Sequence, residues 1–391
     1  MVRACITIDL DAAIHSIRLH NIDDDTRVCF TSKRDIDQAK AHITDLLVGG
    51  TFSRLPSFID EFPNLKKIII GNANITAILN DAIDRLAFLE DLRELGLSNI
   101  VQASSGTQLF HPIPEIIVRL KGIEELAMSV ASPALLPRCL PRMPNLRCLR
   151  IYGTIPTFPD AVFGVRGLQE LYIANVCMER FTAAKTSGLV ALERLDISRN
   201  PITTLPGWLF PGSRMRVLDA SGTKITRLPG CVARWKHLEV LDVSHSAIEA
   251  LPEAIGGCKR LRELRARNTP LAALPESIGD CEALEVLDIA DTKVKELPAS
   301  LGLCARLREI DAGHTPITSL PAALAACTNL EHVQYHVLRA IPPEIEALVV
   351  KVGRLQLDQD LDAAFEAEFE AKLAAFEADD EHDDEHPAGD A

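Results

Sequence analysis

The chain has 391 residues, a formal net charge of −14 and only 5% aromatic residues. Residues 355–391 contain fourteen Asp and Glu against the single Lys372, so residues 1–354 are nearly neutral. A neutral body without a basic stripe predicts no nucleic-acid partner, and the absence of any apolar run near 18 residues predicts no membrane span.

The first 50 residues are predicted to form an N-terminal cap. Asp9 and Asp11 interrupt the apolar stretch that a secretory signal peptide needs, so we expect no general secretion signal. Spaced apolar residues from Ile6 to Leu19 predict strands, and residues 35–47 predict a short helix. Such a segment would cover the exposed end of the repeats that follow.

A Leu-Pro pair recurs every 23 residues in the second half of the chain. A strict period of this length indicates a repeat solenoid, in which each unit packs only on its neighbours. The regular pairs are Leu205-Pro206, Leu228-Pro229, Leu251-Pro252, Leu274-Pro275, Leu297-Pro298 and Leu320-Pro321.

Each unit follows the pattern LxxLxLxx(N/T/S)xIxxLPxxI, which resembles a leucine-rich repeat. Alternation at Leu241 and Val243 predicts a short strand, and the proline ends the extended run. The resemblance implies an α/β solenoid: a horseshoe with a parallel concave β-sheet, short helical or 3-10 convex segments, and about 12 repeats over residues 51–350. Residues 103–111 are predicted to form a loop that bulges from one repeat.

Two further positions follow the same period. The position after each strand carries Asn200, Thr223, Ser246, Thr269, Thr292 and Thr315. In leucine-rich repeats this position holds an asparagine ladder, and the hydroxyls can satisfy backbone groups in the same way. Cys258, Cys281, Cys304 and Cys327 predict a buried apolar ladder. With no CxxC pair, neither a metal site nor a redox motif is predicted, and a reducing cytosolic environment is expected.

The strand register predicts a column of carboxylates on the concave face. Adjacent parallel strands lie ~4.8 Å apart, so equivalent residues line up across repeats. An acidic column could bind a basic segment of a protein partner; equally, aspartate is common at this position in leucine-rich repeats. The candidate partner-binding residues are Asp196, Asp219, Asp242, Asp288 and Asp311, the break at Glu263, Arg265 and Arg267, and Arg150 and Tyr172 in the same column upstream.

The C-terminal segment divides into two parts. Leu361, Phe365, Phe369, Leu373 and Phe376 are spaced as one face of an amphipathic helix, which predicts a helix over residues 351–378. It could cover the last repeat, or dock on a partner or on the concave face. The acidic run that follows predicts disorder over residues 379–391.

Units of the form LPxxI(G)xCxxLxxLxxxxT in an alanine-rich chain, ending in Ile341-Pro-Pro-Glu-Ile345, resemble the leucine-rich-repeat effectors that plant-associated bacteria inject through a type III secretion system. The resemblance implies a virulence role in the host cytoplasm. We predict a non-enzymatic recognition scaffold that needs no cofactor, because the phosphate-loop, HExxH and GxSxG motifs are absent.

Two alternatives stay open for the function. Some of these effectors join the repeats to a ubiquitin-ligase domain with a Cys-x-Asp nucleophile motif, so the repeats could choose substrates for a ligase. No cysteine of this chain is followed by x-Asp. Similar 23-residue repeats also occur in intracellular signalling scaffolds.

Overall fold

Thirteen strands follow one another in a single parallel sheet in chain order. The structure, a computed structural model, describes residues 2–8, 16–21, 27–30, 43–50, 54–55, 59, 62–71, 75–98, 112–181, 189–207, 214–335 and 343. The strands are β1 (Val2–Ile8), β2 (Ser16–Asn21), β3 (Arg27–Phe30), β4 (Ile43–Gly50), β5 (Lys67–Gly71), β6 (Glu94–Ser98), β7 (Glu125–Val130), β8 (Cys148–Gly153), β9 (Glu170–Tyr172), β10 (Arg194–Asp196), β11 (Val217–Asp219), β12 (Val240–Asp242), β13 (Glu263–Arg265), β14 (Val286–Asp288), β15 (Glu309–Ala312) and β16 (His332–Tyr335).

The predicted horseshoe is confirmed by the way each strand buries one side. In β12, Leu241 is fully buried, while Val240 and Asp242 are half-buried on the opposite face. Leu241 pairs in register with Leu218 and Leu264 of the neighbouring strands. Equivalent leucines therefore form one continuous core column, and the alternation seen in the sequence is the signature of that column.

The convex side consists mainly of short 3-10 helices, each started by a proline where the Leu-Pro pairs occur. Pro252 has φ −73° and ψ 148°, and its carbonyl accepts a hydrogen bond from the Ile255 amide at 2.9 Å. Proline suits this position because its φ is fixed and no amide hydrogen is needed there. The 3-10 helices are Glu115–Arg119, Pro133–Leu135, Leu140–Arg142, Asp160–Gly164, Gly230–Arg234, Glu253–Gly257, Glu276–Asp280, Ala299–Leu303 and Ala322–Ala326.

One repeat contains an α-helix that the sequence analysis did not predict, α1 (Ile75–Ala87). Lys67 of β5 pairs with Glu94 of β6, so this repeat spans 27 residues instead of 23 and has room for a longer convex segment. The helix packs an apolar stripe on the core with Ile75, Ile78, Leu79, Ala82, Ile83 and Leu86. Among the described helices, none is long and apolar enough to cross a membrane.

The N-terminal strands are confirmed in part, but the helix predicted over residues 35–47 is wrong where the structure describes it. Residues 43–47 belong to β4, which pairs in parallel with both β1 and β5. Ile43, Leu46 and Val48 are buried there. Pairing on both sides with neighbouring strands overrides a weak local helix signal. Strands β1, β2 and β3 pair antiparallel and extend the sheet.

The side-chain ladder after each strand is confirmed, and its members differ in reach. Asn200 accepts hydrogen bonds from the amides of Val176 and Met178 and donates to the Ile173 carbonyl, so it joins two repeats. Thr292 donates to the Ile289 carbonyl of its own repeat, at 2.7 Å, and within the described residues its side chain makes no bond to another repeat. The hydroxyl members therefore close a turn, whereas Asn200 also ties one repeat to the preceding one.

The periodic cysteines form the buried ladder that the sequence predicts. Cys258, Cys281, Cys304 and Cys327 are all fully buried free thiols. Cys281 Sγ lies 3.5 Å from the Ile255 carbonyl oxygen of the preceding repeat. Burial raises the pKa of Cys258 and Cys281 to about 12, so these thiols remain protonated near neutral pH. The predicted loop 103–111 and the C-terminal segment 351–391 lie outside the described residues.

Candidate partner-binding surface

The predicted carboxylate column lies on the concave face, in the register that the sequence indicates. Asp196 pairs with Asp219, Asp219 with Asp242, and Asp242 with Arg265. The column continues from Arg265 through Asp288 to Asp311. Each aspartate is half-buried because its backbone lies in the sheet while its side chain borders the concave surface.

Each aspartate of the column also has a structural task. The Oδ1 atom of Asp196 accepts a hydrogen bond from the Ser198 amide at 2.9 Å, and Asp242 accepts from the Ser244 amide at the same distance. The other three aspartates also accept a hydrogen bond from the amide two residues later in the chain; they are Asp219, Asp288 and Asp311. This contact orders the turn after the strand and explains why the residue type recurs.

Three of these carboxylates lie on consecutive strands, and we call Asp196, Asp219 and Asp242 the acidic trio. In the part of the chain that the structure describes, no Lys or Arg nitrogen lies within 4.0 Å of them. Half-buried Val217 and Val240 flank the trio. Strand alternation after Val240 and Asp242 predicts that Ser244 points outward, but Ser244 is only 6% exposed because the chain turns into the core directly after the strand.

In the other half of the column, the residues that break the repeat pattern form an ion pair with Asp311 but, within the described residues, none with Asp288. Arg265 pairs with Glu263 of its own strand at 2.6 Å, and Arg267 pairs with Asp311 at 3.1 Å. Burial, and to a lesser degree the neighbouring Asp311, raises the pKa of Asp288. The predicted break therefore separates the acidic trio from Asp288 and from Asp311, which Arg267 neutralises.

Arg150 and Tyr172 stand next to each other upstream of the trio. The Arg150 guanidinium carbon lies 4.8 Å from the centre of the Tyr172 ring, which is a cation–π contact. Arg150 Nη1 donates a hydrogen bond to Glu125 Oε2 at 2.6 Å, and the Tyr172 hydroxyl donates one to Glu170 Oε2 at 2.7 Å. Burial and this hydrogen bond raise the pKa of Tyr172 to about 12. The pair forms a ridge on the concave face between the trio and the earlier strands.

Beyond this ridge the concave face contains a hollow of about 530 Å³ that the sequence analysis missed. Its floor is formed by Ile69, Gly96 and Ala127, which occupy the same column as the aspartates farther along. The Lys67–Glu94 pair at 2.5 Å lies at its margin. The strand register by itself predicts this change, because along one column of the sheet small or apolar residues in the early strands are replaced by aspartates in the later strands.

A ladder of alternating charge runs along the edge of the sheet where the chain enters each strand. Arg216 binds Glu239 of the next repeat through two hydrogen bonds, at 3.0 and 2.9 Å. Arg262 binds Glu285 in the same manner. Hydrogen bonds from the arginines lower the pKa of Glu239 and Glu285. This charge ladder also includes Arg308 and Glu331.

Beside the charge ladder, the same edge contains cations without carboxylate partners, which corrects the expectation of no basic stripe. Arg214, Lys236, Arg260 and Arg306 are exposed and have no ion pair within the described residues; we call them the basic edge. Arg260 Nη1 lies 3.3 Å from His237 Nδ1 of the preceding repeat, which shows how closely the repeats bring these positions. The net charge of the body conceals these cations: Arg214, Arg260 and Arg306 are separated by multiples of 23 residues, and Lys236 lies one residue before the equivalent position in its repeat.

Comparisons with known proteins agree with this architecture. A sequence profile of the Leucine Rich Repeat family matches residues 191–211. No curated protein matches the sequence.

Several solved structures are similar in fold at low sequence identity. A leucine-rich-repeat protein of Leptospira interrogans superposes with a TM-score of 0.61 at 21% identity, over 84% of this chain and 86% of that one. The TLR13–ssRNA13 complex gives 0.57 at 17% identity, over 81% of this chain and 51% of that one. An internalin of Listeria monocytogenes gives 0.50 at 16% identity, over 86% and 91%. The fold of this protein is a leucine-rich-repeat solenoid.

Proposed function

We propose that this protein is a non-enzymatic recognition scaffold that binds another protein on its concave face. The observation that carries the proposal is the acidic trio: three carboxylates on consecutive strands that form no ion pair within the described residues. A partner that brings cations to this surface would remove the mutual repulsion of the trio. Complementary charge of this kind also speeds association and selects among partners.

The partner that fits best presents a basic segment. Carboxylates on adjacent strands are ~4.8 Å apart, a spacing that successive Lys or Arg side chains can match. Val217 and Val240 give the aliphatic stems of those side chains an apolar surface to cover. Glu263, Arg265, Arg267, Asp288 and Asp311 would form the margin of the interface, with Arg150 and Tyr172 at the opposite end.

The biological setting that we propose is that of a bacterial type III effector acting in the host cytoplasm. This step depends on the resemblance of the repeat units, because similarity to solved structures at this identity concerns the fold alone. A substrate-recognition role for a ubiquitin ligase and a signalling-scaffold role remain alternatives. Autoubiquitination with purified conjugating enzymes tests the first, and we expect no product.

The decisive experiment removes charge from the trio without removing its structural hydrogen bonds. In the variant D196N/D219N/D242N each side-chain oxygen still accepts the amide two residues on. We expect this variant to lose at least about ten-fold of its affinity for proteins captured from host lysate, with little change in thermal unfolding.

The matched control neutralises three exposed glutamates outside the column, E249Q/E276Q/E296Q. It makes the same change in net charge and should retain capture. Equal capture by both variants and the parent would refute the site. An RNA probe added to the same assay distinguishes a nucleic-acid ligand, which the acidic trio should repel.

A further inference from the structure

The cations of the basic edge favour the binding of an anionic segment. Arg214, Lys236 and Arg260 come from three consecutive repeats, and Arg306 comes from the second repeat after Arg260. Repeats stack at ~4.8 Å, so the four cations cover roughly 19 Å of the edge. The carboxylates of the charge ladder beside them are already held in two-bond contacts with Arg216 and Arg262. Positive charge therefore accumulates here even though the body is almost neutral.

The chain carries its own polyanion. Residues 379–385 read Asp-Asp-Glu-His-Asp-Asp-Glu, with six carboxylates in seven positions. An extended segment of seven residues is about 23 Å long, which matches the length of the basic edge. No other stretch of the sequence has this density of charge.

The acidic segment is also close enough to reach this edge. The sheet ends at β16 with Tyr335, and 43 residues separate Tyr335 from Asp379. Arg260 lies just before β13, only three strand positions from β16. That separation is roughly 14 Å, far less than a linker of this length can span. A tethered segment acts at an effective concentration of the order of millimolar.

We propose that the acidic segment 379–385 lies along the basic edge of the same chain and pairs with Arg214, Lys236 and Arg260. The contact joins the most acidic part of the sequence to cations that the described structure leaves without carboxylate partners. It is electrostatic and exposed, so it weakens as salt screens it. It covers the strand-entry edge and leaves the acidic trio on the concave face free, so it does not depend on the function proposed above.

Carbodiimide cross-linking of the full chain tests the contact, because this reagent joins a carboxylate to a lysine amine that touches it. Lys236 lies on the basic edge, whereas exposed Lys224 and Lys293 lie elsewhere on the repeats. We expect mass spectrometry to find Lys236 linked to residues 379–385 at least about five-fold more often than either control lysine. Half-molar salt should abolish the difference.

Variants and isotope mixing complete the design. R214S/R260S should reduce the Lys236 cross-link, and R138S/R227S, which removes two exposed arginines outside the basic edge, should not. Equal cross-linking of all three lysines would overturn the proposal. If a mixture of ¹⁵N-labelled and unlabelled chains gives mainly hybrid cross-links, the occupant is the tail of a second copy, and the intramolecular contact is refuted.

Discussion

Arg267 reaches past a whole repeat to Asp311: its Nη1 atom lies 3.1 Å from Oδ2 of an aspartate 44 residues later. Ala290 and Gly313 occupy the positions equivalent to Arg267 in the next two repeats. Both residues are small, so the guanidinium can lie across them. This contact neutralises Asp311, the last carboxylate of the column, at the end opposite to the acidic trio.

The first prediction concerns the charge balance around this contact. Arg267 is one of the groups that hold down the pKa of Asp288, which burial and Asp311 raise. In Arg267→Met we expect the pKa of Asp288 to rise further, followed by carboxyl ¹³C NMR during a pH titration. Arg265→Met is the control, since Arg265 is paired with Glu263 and should affect Asp288 less. An unchanged Asp288 titration in Arg267→Met would contradict the assignment.

The second prediction compares two members of the ladder that follows the strands. Asn200→Ala leaves the buried amides of Val176 and Met178 without an acceptor. We expect a loss of about 2–4 kcal/mol in the free energy of unfolding, measured with urea. Thr292→Val removes one bond within a single repeat and should cost about 1 kcal/mol. Equal losses would mean that Asn200 does not join the repeats.

The third prediction concerns close packing on the convex side. A Cβ atom on Gly279 would lie 2.3 Å from the Ser300 carbonyl oxygen of the next repeat. Gly279→Ala should therefore lower the free energy of unfolding by about 1–3 kcal/mol. Gly230→Ala is the matched control, because a Cβ there meets nothing within 4 Å. Urea denaturation of the two variants should separate them clearly.

The fourth prediction concerns pH. Hydrogen bonds from Arg216 and Arg262 lower the pKa of Glu239 and Glu285 in the folded chain. Their stabilising effect is therefore complete above the ordinary glutamate pKa of 4.5 and is lost as the pH falls through the lowered values. Calorimetry should show a smaller fall in Tm from about pH 7 to about pH 3 for E239Q/E285Q than for the parent. E249Q/E276Q changes two exposed glutamates that form no ion pair with any described residue, and it should keep the parent's profile.

The fifth prediction concerns the cysteine ladder. Burial raises the pKa of Cys304 to about 11 and keeps the four ladder thiols away from solvent, while Cys177 is exposed. Under native conditions at about pH 8, iodoacetamide should modify Cys177 at least about a hundred-fold faster than Cys258, Cys281, Cys304 or Cys327. Mass spectrometry of the digested protein measures each site. Rapid labelling of the ladder would show that the convex side opens readily.

Much of the fold was predictable because, in a repeat protein, the spacing of apolar residues and prolines within each unit determines the local structure. The strand at Leu241 and the convex turn after Pro252 follow from a period of two and from proline chemistry, so both were predicted correctly. The helix α1 and the strand β4 were not predicted. In that part of the chain the 23-residue spacing is lost, and pairing with neighbouring strands decides what the residues form.

The candidate surface divides in the same way. The sequence by itself determined which side chains line the concave face, because strand alternation assigns Asp196, Asp219 and Asp242 to one column. Only the tertiary structure decided which charges on the described repeats are neutralised. The Arg267–Asp311 contact and the Arg216–Glu239 pair join residues 44 and 23 positions apart, and stacking of the repeats brings them within hydrogen-bond distance. Whether a carboxylate can bind a partner therefore depends on whether an arginine from another repeat, far away in the sequence, already neutralises it.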